Sequence, residues 1–365
     1  MPQSTRSPSF QKRTRPTWSR SCSLPANDYK QFIDELIGQV MADRTGDGSN
    51  GVASFRERGH DMNIVCAVDG SEFSNWALEA SSALFHQALK HVVLLHVIDT
   101  RQLRSSLRKE GADPKQVQDA IERLEAEAQK VLKAARETME LALSQAVTYP
   151  LATMKTVLAK GHVADTIIKR VEKIKPDLLV VGSRGLSDLE GYLLGSVSRR
   201  VLVHAPCPVL AVKRSMKPPI RTVIAVDGSK ASNLAATRFR SWTVPETVSV
   251  HILSVVPDIL TDVASDVLPD AQIKALQKPF QLRAEEVCAR YRQWFLGEGF
   301  AVTAQVLAGN PREVILDYLA RHKADVVVLG SKGLTGADRF RMGSVSEGVA
   351  AYAPCSVLIV RSRPS

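Results

Sequence analysis

A chain of 365 residues exceeds what one ordinary domain needs and suits two, each able to bury its own core. With 44% apolar and 24% charged residues the composition is that of a globular protein, and no apolar run nears the roughly 18 residues of a membrane span. Five cysteines without a CxxC pair or Cys/His ligand spacing argue against a zinc site and favour a reducing compartment; the net charge of +10 suits an acidic partner, but the basic residues look scattered rather than banked on one helix, so nucleic acid is not expected.

In chain order, residues 1–60 come first as a basic tail and linker. Residues 1–25 carry five basic residues and no acids among Ser and Pro, and read as disordered. A transit peptide is the alternative, although Pro8 and Pro16 oppose an amphipathic helix, and the absence of an apolar h-region opposes a secretory signal. Residues 28–41 allow a short helix, and 45–54 read as a linker.

From residue 61 the chain repeats itself. Asn63-Ile-Val-Cys-Ala-Val-Asp-Gly-Ser71 returns as Arg221-Thr-Val-Ile-Ala-Val-Asp-Gly-Ser229, and Leu178-Leu-Val-Val-Gly-Ser-Arg-Gly-Leu186 as Val326-Val-Val-Leu-Gly-Ser-Lys-Gly-Leu334. Ala205-Pro-Cys-Pro-Val-Leu210 returns as Ala353-Pro-Cys-Ser-Val-Leu358. The unit is far longer than a solenoid repeat, so it marks a duplicated domain, with copies at 61–214 and 219–362. The first copy is longer after its second strand, where Arg101 to Lys115 forms a polar, helix-like insertion.

Near-continuous Val/Ile/Leu runs predict strands at 63–68, 92–98, 153–158, 177–181 and 208–213, alternating with helices at 73–89, 115–145, 163–174 and 196–204. Copy two repeats the strands at 221–226, 248–256, 302–307, 325–329 and 356–361. Such alternation predicts an α/β protein of two tandem doubly wound domains, with helices on both faces of each parallel sheet. Its ligand crevice lies outside the carboxyl ends of the strands.

Two Gly-rich loops follow buried strands there. Gly182-Ser-Arg-Gly185 is followed after nine residues by Gly195-Ser-Val-Ser198, and Gly330-Ser-Lys-Gly333 after nine by Gly343-Ser-Val-Ser346. Glycine lets backbone amides approach a phosphate, and a helix opening at Ser196 or Ser344 adds free N–H groups and the positive end of its dipole. The hydroxyls of Ser196, Ser198, Ser344 and Ser346 are further donors. Arg184 and Lys332 either pair with phosphate or stay solvated. Asp69 and Asp227 end the first strands, and either accept from a ribose or adenine group or cap the next helix. The eight histidines show no metal spacing, and His96 reads as a satisfied strand-end residue. No GxxxxGK[ST] or GxSxG is present, so the chain is neither a Walker-type NTPase nor an α/β-hydrolase.

These residues resemble the universal stress protein family in its tandem form, over residues 61–362. The family's ATP-binding signature, Gly-x2-Gly-x9-Gly-(Ser/Thr), is intact in both copies. The resemblance implies a five-stranded parallel sheet of order 3-2-1-4-5 in each. It implies ATP or ADP, with Mg2+, held by Asp69, Gly182, Gly185, Gly195, Ser196, Val197 and Ser198, with adenine against the backbone near Val97. Copy two would use Asp227, Gly330, Gly333, Gly343, Ser344, Val345 and Ser346, with adenine near Val255. It also implies an intrachain pseudo-dimer through Val209 to Val212 and Val357 to Val360, and allows a homodimer. Arg339 and Arg341, present only in copy two, predict tighter triphosphate binding there.

No residue stands out as a general base, so a cytoplasmic nucleotide-binding sensor, not an enzyme, is the expected function. The alternatives are a slow ATP hydrolase of the adenine-nucleotide α-hydrolase class, whose HIGH and SGGxDS motifs are absent, and a nucleotide-free scaffold or chaperone.

Overall fold

A computed structural model of the chain describes residues 61–145, 152–185, 194–257, 270–333 and 342–362. The expectations for the tail and linker, and for Arg339 and Arg341, lie outside these residues. The first copy runs β1 (Met62–Ala67), α1 (Glu72–Phe85), β2 (Leu89–Ile98), α2 (Thr100–Lys109), α3 (Pro114–Gln145), β3 (Thr153–Lys160), α4 (Val163–Ile174), β4 (Leu178–Gly182), α5 (Ser196–His204) and β5 (Val209–Val212). The second runs β6 (Ile220–Ala225), α6 (Lys230–Trp242), β7 (Val248–Val256), α7 (Asp270–Leu296), β8 (Ala301–Ala308), α8 (Pro311–Arg321), β9 (Val326–Gly330), α9 (Ser344–Tyr352) and β10 (Ser356–Val360). The expected helix at 73–89 ends at Phe85, and β2 starts three residues before the expected 92. The apolar pattern reads straight through the short turn, in which Ala88 N–H bonds Phe85 O at 2.8 Å and Ala88 O accepts from Met62 N–H at 2.6 Å.

Within each copy the strands are parallel and ordered 3-2-1-4-5, and β5 pairs antiparallel with β10, giving one sheet ordered β3-β2-β1-β4-β5-β10-β9-β6-β7-β8. The pairing sets Leu210 opposite Leu358, flanked by Val209 opposite Ile359 and Ala211 opposite Val357. Alternating residues of the strands feed two cores. Ile64, Cys66, Leu94, Leu210, Ile224 and Leu358 face α1, α3, α6 and α7, while Val65, Leu95, Val209, Val223, Val327 and Ile359 face α4, α5, α8 and α9. Both cores pass without a break from one repeat into the other across β5 and β10. Sheet strands covered on both faces account for the continuous apolar runs of β4, β5, β9 and β10, each of whose residues is buried.

Candidate functional site

The order 3-2-1-4-5 reverses direction between β1 and β4 in the first repeat and between β6 and β9 in the second. In open α/β sheets the loops leaving the strands on either side of such a switch point diverge, and the carboxyl edge there is where a ligand crevice is expected. The chain leaves β1 through Asp69-Gly70, with Gly70 at φ 80° and its counterpart Gly228 at φ 76°, a conformation L side chains rarely adopt. This turn aims Asp69 back at the start of α1. Its Oδ1 accepts from Ser71 N–H at 3.0 Å and Ser71 Oγ–H at 2.6 Å, and Ser71 Oγ in turn accepts from Ser74 N–H at 3.2 Å. The N-cap of α1 is therefore Ser71, and Asp69 supports the cap rather than forming it. Ser229 caps α6 in the same way, with Asp227 Oδ1 accepting from Ser229 N–H at 2.9 Å.

The other carboxylate oxygen lies against the Gly-rich loop. A Cβ on Gly185 would come within 2.8 Å of Asp69 Oδ2, and one on Gly333 within 3.0 Å of Asp227 Oδ2. Asp69 and Gly185, or Asp227 and Gly333, thus close on each other across the switch point. The first glycine of each loop answers to packing: a Cβ on Gly182 would lie 2.8 Å from the Phe73 carbonyl carbon, and one on Gly330 would lie 2.6 Å from that of Ala231. The loops return through Gly195 N–H to Ser183 O and Gly343 N–H to Ser331 O, both 2.8 Å.

Helices α5 and α9 then start after the N-cap residues Gly195 and Gly343, and neither N-terminus has a side-chain cap, a property α4 shares and α1, α6 and α8 do not. Arg199 N–H makes the first intrahelical bond of α5, to Gly195 O at 2.9 Å. Ahead of it, the helix geometry leaves the N–H groups of Ser196, Val197 and Ser198 pointing outward; in α9 those of Ser344, Val345 and Ser346 take the same place. The serines divide in role. Ser196 and Ser344 are exposed, whereas the buried hydroxyls of Ser198 and Ser346 donate back to Gly182 O at 2.6 Å and Gly330 O at 2.7 Å. The hydroxyl donors expected of Ser198 and Ser346 are therefore spent within the fold, and their backbone amides remain.

At β2, Leu95 O accepts from Val68 N–H at 2.9 Å, and Ile98 O accepts from Gly161 N–H at 3.0 Å. Backbone groups of alternate residues face the same neighbour, so the N–H and C=O of Val97 turn toward β1, which has already ended. Leu253 O and Val256 O set Val255 likewise, through bonds of 2.8 Å to Val226 N–H and 3.0 Å to Gly309 N–H. The side chain of Val97 is buried and that of Val255 half-buried in the α4–α5–α8–α9 core, so backbone alone faces the crevice. Arg184 lies 5.6 Å over the Phe73 ring, and Lys332 is half-buried.

The universal stress protein family model matches residues 62–213 and again 220–361. The chain belongs to the universal stress protein family. A universal stress protein of Staphylococcus aureus (strain USA300) is 34% identical over 142 residues, 38% of this chain and 82% of its own. The crystal structure of a family member from Archaeoglobus fulgidus aligns over 83% of this chain and 97% of its own, at 24% identity and a TM-score of 0.55. A structure from Arabidopsis thaliana with AMP bound matches 42% of this chain and 92% of its own, at 22% identity and a TM-score of 0.27.

Elsewhere in this family member, His96 is satisfied, its Nδ1 2.6 Å from Val68 O. Cys66, Cys207, Cys288 and Cys355 are buried free thiols. Burial pushes the thiols of Cys66 and Cys355 up to about 12 and that of Cys288 to about 11. The basic residues are less scattered than the sequence implied. Arg101, Arg104, Arg108 and Lys109 share one flank of α2 around Ser105, at helical spacings of three and four, while Leu103 and Leu107 turn inward. No described helix is long and apolar enough to cross a membrane.

Proposed function

We propose that both repeats bind ATP or ADP and that the protein is a nucleotide-dependent stress-response module, acting in the cytoplasm through contacts that change with occupancy. One observation carries the reading: an uncapped helix N-terminus behind a Gly-rich loop, closed by a strand-end carboxylate, occurs twice at equivalent places. The amides of 196–198 and 344–346 suit phosphate oxygens, which favour the positive end of a helix dipole. Asp69 and Asp227 suit ribose hydroxyls, since an ionised carboxylate only accepts. The outward N–H and C=O of Val97 and Val255 offer the donor–acceptor pair that an adenine edge needs. Arg184 and Lys332 add charge beside the phosphates, with Mg2+ completing their neutralisation. The buried thiols fit a reducing compartment.

Binding, not catalysis, is the role assigned. Each Asp carboxylate is engaged by the helix cap on one oxygen and packed against glycine on the other, which suits positioning more than proton abstraction. The test is to denature the purified protein, identify any released nucleotide by chromatography and determine its amount per chain. About two ATP or ADP per chain is expected. A chain that releases none, and takes up none when titrated with Mg-ATP, would be a scaffold instead.

A further inference from the structure

The antiparallel pairing of β5 with β10 has a consequence at the strand ends. Its register, with residues 211 and 357 opposed, continues to set Lys213 opposite Cys355 and Arg361 opposite Cys207. Cys355 follows the end of α9 and Cys207 the end of α5. The residue after each repeat's last strand therefore arrives at the foot of the other repeat's last helix. Lys213 Nζ donates to Ala353 O at 2.7 Å and Ala350 O at 3.3 Å, where α9 ends. Arg361 Nη1 donates to Ala205 O at 2.8 Å and Val203 O at 3.0 Å, and its Nη2 to Leu202 O, where α5 ends. The last carbonyls of a helix lack intrahelical partners and carry the negative end of its dipole, so a cation is the group they take.

These are the two helices whose other ends form the phosphate-binding sites. Each clasping residue is also next in sequence to an anchor of its own repeat's loop: Val212 O accepts from Ser183 N–H at 2.7 Å, and Val360 O from Ser331 N–H at 2.8 Å. Followed through Gly195 to Ser183, Val212, Lys213, α9, Ser346 to Gly330, Ser331 to Val360, Arg361 and α5, the hydrogen bonds and covalent steps close into a circuit containing both sites. We infer that Lys213 and Arg361 are crossed positioning residues, each holding the phosphate-binding helix of the opposite repeat, so that neither nucleotide site is complete within its own repeat. Burial supports the assignment. It draws Lys213 down to about 8, with Arg184 lowering it further, and it lowers Arg361. Charged groups kept at that cost serve a partner no neutral side chain replaces.

The inference rests on the nucleotide reading, and one experiment separates the two. ATP affinity is measured by calorimetry on full-length chains with Gly343→Arg, which leaves the first site, or Gly195→Arg, which leaves the second. Adding Arg361→Met is expected to weaken the first site roughly tenfold and leave the second within about twofold, the loss expected of charge-assisted hydrogen bonds. Lys213→Met is expected to do the reverse, and Arg361→Lys to recover most of the affinity at the first site. Weakening confined to the variant's own repeat, or equal at both sites, would overturn the crossed assignment while leaving nucleotide binding intact. An absence of ATP binding in the parent chain would overturn the nucleotide reading itself and this inference with it. Should the methionine variants fail to fold, Arg361→Gln and Lys213→Gln, which keep a donor but no charge, carry the same crossed comparison.

Discussion

A methyl group on Gly182 would meet the Phe73 backbone, and one on Gly330 that of Ala231, before either reached a ligand. Gly182→Ala is accordingly expected to cost about 1–3 kcal/mol of stability, the range for overpacking a filled site. Urea unfolding measures it, and an unchanged midpoint would contradict the close approach. Gly343, whose Cβ would find its nearest neighbour at 3.5 Å, has room for a methyl, so Gly343→Ala is expected to fold as well as the parent. The thiols give a pH prediction. Cys66, Cys288 and Cys355 have folded values raised above the ordinary 9, so the folded state keeps protons that the unfolded state gives up. Their contribution is fully present below pH 9 and is lost as pH rises toward about 11 to 12. The thermal unfolding midpoint should fall steeply above pH 9, and less so in Cys66→Ala; an identical alkaline slope in the two would contradict it.

The N-terminal turn of α5 shows how serines two apart differ. Ser198→Ala removes a buried hydroxyl that donates to Gly182 O and is expected to cost about 1 kcal/mol of stability, whereas exposed Ser196→Ala leaves stability unchanged. Unfolding curves of the two variants decide it, equal losses being the contrary result. The strands of the fold were legible because parallel strands covered on both faces read as unbroken Val/Ile/Leu runs, and the duplication doubled every signal. The loops were legible because their glycine spacing recurs. Less legible was what each polar group touches. Nothing local to Asp69 separates a cap from a ligand-facing carboxylate, and the structure has Ser71 as the cap with Asp69 bridging to Gly185. Lys213 and Arg361 left no mark at all, since their partners lie 140 and 156 residues away and depend on the register of two strands. The basic flank of α2 is hard to read for the opposite reason: its residues are close in sequence, but only helical spacing gathers them.

Across the molecule, both cores run through β5 and β10 from one repeat into the other, and the clasps cross the same seam. Repeats sharing two cores should unfold together. Scanning calorimetry is therefore expected to show one transition for residues 61–362, and two well-separated transitions would contradict the shared cores. The same continuity makes α5 and α9 parts of one body instead of independent modules. We propose that each repeat holds an adenine nucleotide. The most direct test is a calorimetric titration of nucleotide-stripped full-length protein with Mg-ATP. Two ATP per chain, falling to one with either Gly195→Arg or Gly343→Arg, is the predicted result; no measurable uptake by the intact chain would contradict it.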